Sequence, residues 1–136
     1  MYLILDSSVF VAALVESEEK HIVCRKILES VKDGKFVTLE PYTVLVEVVA
    51  AIRRRTGSDV LAERVKQDLQ NIGNIYFFEL VSLRAEKAAH IAAQTGLRGM
   101  DSIVVQIANE FNGELVTLDE EIEKKASKIV KIKHIR

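Results

Sequence analysis

Tyr2-Leu3-Ile4-Leu5-Asp6-Ser7-Ser8 is a short apolar run stopped by an acid. A run this brief, with no polar face, reads as a strand buried on both sides. Similar runs recur at Phe36 to Leu39, Ile75 to Leu80, Leu115 to Leu118 and Ile129 to Ile132. Between them apolar residues fall at helical spacing: Val23, Ile27 and Val31; Leu61, Val65, Leu69 and Ile72; Ala85, Ala88, Ala89, Ala92 and Ala93; Ile103, Val104, Ile107, Ala108 and Phe111. Pro41 is expected to open a helix, where its missing N–H costs nothing, with Gly57 ending that helix and Gly96 a later one. Alternation of this kind predicts an α/β fold, a parallel sheet covered by helices on both faces.

At 136 residues, with no repeat, low-complexity segment or linker, the chain is expected to form one domain. Hydrophobic residues make up 49% and charged residues 29%, which excludes disordered and fibrous classes. Cys24 is the only cysteine and sits among apolar residues at core spacing, so it reads as a buried small hydrophobe. The first residues lack the basic and long apolar regions of a secretion signal, and no apolar run is of membrane-spanning length; a cytoplasmic protein is expected. The net charge of -1 excludes a general polycation, so any phosphate binding must be local. Arg53, Arg54 and Arg55 form one cationic cluster, and Lys124, Lys125, Lys128, Lys131, Lys133 and Arg136 another. Most such runs are solvated faces.

Four acids stand out. In open α/β sheets the functional crevice lies beyond the carboxyl ends of the strands. Asp6 is expected to end the first strand, and Asp119 the fourth, in Leu115-Val116-Thr117-Leu118-Asp119. Either alone would read as a helix N-cap. Glu47 is the only charge in Val44 to Ile52, and burying a carboxylate without a partner is expensive. Asp101 follows the loop Gly96-Leu97-Arg98-Gly99-Met100 and precedes the apolar helix Ile103 to Phe111, another cap position. Acids gathered together repel one another unless a cation resides among them. Oxygen donors without thiolate or imidazole suit hard ions, which points to Mg²⁺ or Mn²⁺. His21, His90 and His134 adjoin none of these acids in sequence and receive no metal role.

In the order Ile4-Leu5-Asp6-Ser7-Ser8-Val9, Leu45-Val46-Glu47-Val48, Gly96-Leu97-Arg98-Gly99-Met100-Asp101-Ser102-Ile103 and Leu115-Val116-Thr117-Leu118-Asp119, the chain resembles the PIN-domain family, especially its stand-alone VapC-type toxins. Each motif alone is weak; their order spans nearly the whole chain. The resemblance implies a parallel sheet of about five strands. It implies that Asp6, Glu47, Asp101 and Asp119 hold Mg²⁺ or Mn²⁺ for cleavage of RNA, in a homodimer controlled by a separate VapB-type antitoxin. Ser8 matches the polar residue near the first acid, with Ser7 as a second candidate, and Thr117 the one before the last. Arg98, near Asp101, is a candidate phosphate contact, as is the run Arg53 to Arg55. Glu120 and Glu121 read as solvated first-turn residues.

Other readings fit less well. A haloacid-dehalogenase phosphatase needs a second Asp two residues after the first, where this chain has Ser8. A receiver domain needs paired acids at the first strand and an Asp after the third, where Glu79-Leu80-Val81-Ser82 stands. No Gly-rich phosphate loop is present. The rivals that remain are a PIN-like module that binds RNA or protein without cutting, and an RNA-processing ribonuclease with no antitoxin.

Overall fold

The computed structural model describes residues 1–135. The elements are β1 (Tyr2–Leu5), α1 (Ser7–Leu14), α2 (His21–Lys32), β2 (Val37–Pro41), α3 (Tyr42–Thr56), α4 (Asp59–Asn71), β3 (Ile75–Phe78), α5 (Ser82–Thr95), α6 (Gly99–Glu110), β4 (Glu114–Val116), α7 (Glu120–Ala126) and β5 (Lys131–Ile132). All five strands are parallel, in the order β3-β2-β1-β4-β5. Parallel neighbours require crossovers, and the helices provide them. Because such crossovers are right-handed, the outward path β1 to β3 places its helices on one face, and the return to β4 and β5 places the later helices on the other. α6 packs across β2, β1 and β4. Leu3, Ile4 and Leu5 of the central strand have no exposed surface, as a strand covered on both faces must.

Several boundaries differ from the sequence reading. β4 stops at Val116, so Asp119 does not end a strand; it caps α7 after a short turn. Pro41 closes β2 and stands before α3 instead of inside it. α6 begins at Gly99, two residues before Asp101. α1 carries no polar stripe, because Val9 to Ala13 are all buried. Gly57 and Gly96 end α3 and α5 as expected, with φ of 69° and 74° that favour a residue lacking Cβ. No described helix is long and apolar enough to cross a membrane.

The reversal of strand order between β1 and β4 opens a crevice at their carboxyl ends. Asp6 and Asp119 both follow strands that border it.

Candidate active site

Asp6 occupies the N-cap position of α1, yet its side chain makes no cap hydrogen bond. Its carboxylate is held across the crevice instead. Ser8 Oγ donates to Asp6 Oδ2 at 2.8 Å and Thr117 Oγ1 donates to the same oxygen at 3.0 Å. Ser8 Oγ in turn accepts from Leu118 N–H, and Thr117 Oγ1 from Asp119 N–H. These bonds tie the β1–α1 junction to the β4–α7 junction. The second oxygen of Asp6 takes neither hydroxyl.

The other three acids arrive from helices. Asp119 caps α7, its Oδ1 accepting from Glu121 N–H at 2.9 Å and Ile122 N–H at 3.2 Å. Asp101 lies inside the first turn of α6, whose N-cap position belongs to Arg98 and carries no side-chain cap. The cap explanation therefore fails for Asp101 and for Asp6 and holds for Asp119. Glu47 is half-buried on α3.

All four carboxylates line one cavity of about 760 Å³, together with Ser7, Ser8 and Arg98. Ala85, Ala88, Ala89 and Ala92 of α5 add an apolar wall, and among the described residues neither His nor Cys lines it. Burial raises the Glu47 carboxyl above its ordinary value, and the charges of Asp6 and Asp101 raise it further. Asp101 is raised by burial, then by Asp6 and Asp119, against a downward pull from Arg98. The acids thus sense one another. Among the described residues no three Asp, Glu, His or Cys side chains form a ready metal-holding group, so the carboxylates ring the cavity without meeting at a point.

Other candidates lie elsewhere. Arg53, Arg54 and Arg55 do not line this cavity, and Arg55 pairs with Glu18 at 2.6 Å. Glu121 pairs with Lys125 at 2.6 Å. Thr117 and Glu120 border a larger neighbouring cavity of about 960 Å³ beside α7 and β5. There Lys20, Lys124 and Lys131 are matched by Glu114, Glu120 and Glu123, which leaves no net positive cradle for phosphate. Arg136 lies outside the described residues.

Glu40 was not singled out from the sequence. It is fully buried at the end of β2, and its Oε2 accepts from Leu5 N–H at 2.7 Å. Its Oε1 has no hydrogen-bond partner among the described residues. Burial pushes this carboxyl well above its ordinary value; the Leu5 N–H draws it back, and the Asp6 charge pushes it up again. An acid between an apolar strand and Pro41 was the available signal.

The architecture is shared with known structures. The VapC20 toxin of Mycobacterium tuberculosis, which cleaves the sarcin-ricin loop, superposes with a TM-score of 0.79 at 14% identity, covering 97% of this chain and 99% of that one. VapBC2 from Rickettsia felis, bound to a promoter DNA fragment, gives 0.69 at 15% identity with full coverage of both chains. FitAcB from Neisseria gonorrhoeae gives 0.66 at 18% identity, covering 97% and 96%. At such identities the likeness speaks for the fold. No curated protein matches the chain. The PIN domain family model matches residues 3–128, and with that span the chain belongs to the PIN domain family.

Proposed function

We propose that this chain is a metal-dependent endoribonuclease and the toxin of a toxin–antitoxin pair, with Asp6, Glu47, Asp101 and Asp119 as its metal ligands and catalytic acids. The observation that carries this reading is the convergence of four carboxylates, from four separate elements, on one cavity that contains no imidazole or thiolate. Oxygen-only donors fit Mg²⁺ or Mn²⁺, and their spread around the cavity suits an ion that keeps several of its waters. Burial and mutual repulsion raise Glu47 and Asp101, a cost that a cation would relieve.

When bound, the ion would supply Lewis-acid stabilisation of phosphate charge and an acidified water. The protein's residues do the rest. Ser8 and Thr117 hold one oxygen of Asp6, so they serve the substrate through Asp6. Arg98 lines the same cavity and is exposed, which supports a role for it in holding a phosphate oxygen. The alanine wall leaves room for a chain without offering aromatic faces for base stacking. Similar structures include toxin–antitoxin complexes, which supports an antitoxin partner for this chain; a homodimer belongs to the same reading.

Purified protein incubated with mixed RNAs tests the activity. Cleavage is expected with Mn²⁺ and none with chelator, giving 5′-phosphate and 3′-hydroxyl ends, because an attacking water and not the substrate 2′-OH breaks the bond. Equal cleavage under chelation, or 2′,3′-cyclic phosphate ends by mass spectrometry, would overturn the mechanism. Binding without any cleavage would favour the non-catalytic module.

A further inference from the structure

We propose that Glu40 is a positioning residue for Asp6, its buried carboxyl replacing the sheet acceptor that Leu5 N–H lacks and so fixing the strand end that carries Asp6. The pairing pattern is the starting point. β1 pairs with β2 only at Tyr2↔Val37 and Leu3↔Thr38, whereas it continues with β4 as far as Leu5↔Val116. β2 itself continues with β3 as far as Pro41↔Phe78. Beyond Leu3 the central ladder has therefore opened on one side, though both strands still extend. A buried Leu5 N–H left there without an acceptor would be costly.

The registered pair Leu3↔Thr38, advanced by two residues, sets Glu40 beside Leu5 on the same face. Its Oε2 takes the N–H at 2.7 Å. The next residue's N–H, that of Asp6, is bound from the other side by Val116 O at 2.9 Å. The strand end is thus gripped from both flanks before Ser8 and Thr117 hold the carboxylate. Glu40 is expensive to keep: it has no exposed surface and one oxygen without a partner. No cation pairs with it among the described residues, so ion pairing does not explain its retention.

Glutamine reproduces this acceptor and shape; methionine keeps the volume and removes the acceptor. The functional consequence rests on reading Asp6 as a metal ligand, so two measurements on the full chain are paired. Mn²⁺ affinity by calorimetry should change little in Glu40→Gln and weaken by about 10-fold or more in Glu40→Met, the range for losing a group that orients a ligand. Thr38→Val, at an equally buried position two residues away on the same strand, should leave it unchanged. Hydrogen exchange of the Leu5 amide should be slow in the parent and in Glu40→Gln, and fast in Glu40→Met. Should Glu40→Met fail to fold, Glu40→Asp, one methylene short of Leu5, is read the same way. A folded Glu40→Met with parental Mn²⁺ affinity overturns the proposal, as does a Glu40→Gln that loses as much as Glu40→Met. If the parent binds no Mn²⁺, the metal reading of Asp6 falls, and the Leu5 amide decides for Glu40: unchanged exchange in Glu40→Met sinks the clamp.

Discussion

The carboxyls of Glu47 and Asp101 titrate above their ordinary range, first through burial and then through neighbouring acids. A carboxyl raised on folding binds more protons in the folded state, so the fold loses stability as pH climbs from the unfolded pKa through the folded one. Glu40 acts with the same sign. Glu110, lowered by its hydrogen bond from Arg84, acts oppositely: its contribution is lost only as pH falls below the ordinary carboxylate range. Metal-free protein should therefore melt lower near neutral pH than at the upper edge of the ordinary carboxylate range, about pH 5. Mn²⁺ should reverse that trend on the proposed ligand set, because an ion held there would favour the ionised acids. Asp101→Asn should flatten the metal-free slope, melt no lower than the parent near neutral pH, and abolish cleavage. Scanning calorimetry with and without Mn²⁺ reads all but the last, and a metal-free melting temperature that rises across this interval would refute the coupling. The candidate acids were readable because a charge inside an apolar run, as at Glu47, announces a cost. The hydroxyl bonds to Asp6 were not readable as such, since Thr117 meets Asp6 only once β4 is placed beside β1.

Among the elements, α7 shows why the cap reading and the site reading need not compete. Its first turn carries Glu120, Glu121 and Glu123 and its last turn Lys124 and Lys125, charges that suit the helix dipole. Asp119 starts it with two N–H bonds while lining the cavity. Asparagine caps nearly as well as aspartate but is a poor ligand. Asp119→Ala should cost about 1 kcal/mol of stability and Asp119→Asn much less, while both weaken Mn²⁺ binding alike. Denaturant melts beside Mn²⁺ titrations separate the two roles, and an Asp119→Asn with parental affinity would remove Asp119 from the ligand set. The strands were legible as apolar runs, yet their ends were not: Leu118 is as apolar as Val116, and only the turn to α7 stops β4. α1 shows no helical period in its sequence because five consecutive buried residues, Val9 to Ala13, leave it without a polar face.

For the whole molecule, a net charge of -1 supplies no general attraction for a polyanion, so the proposed RNA substrate would have to be held by a few placed cations. Among the described residues, Arg98 is the one basic side chain lining the acidic cavity. Arg98→Ala should shallow the dependence of log affinity on log salt by about 0.7 for single-stranded RNA, whereas Arg54→Ala, away from the cavity, should leave the slope alone. Filter binding across a salt series checks both, and an unchanged slope for Arg98→Ala takes it out of the groove. The order of synthesis adds a further consequence. The hydroxyl of Thr117 reaches Asp6 across 111 positions of chain. A ribosome part-way through this message holds Asp6 long before Thr117 and Asp119 exist, and a sheet whose central strand pairs Leu3 with Glu114, far along the chain, cannot close early. Until Thr117 has been made, Asp6 lacks one of the two hydroxyls that hold its carboxylate, so the pocket is completed only after synthesis has passed the fourth strand.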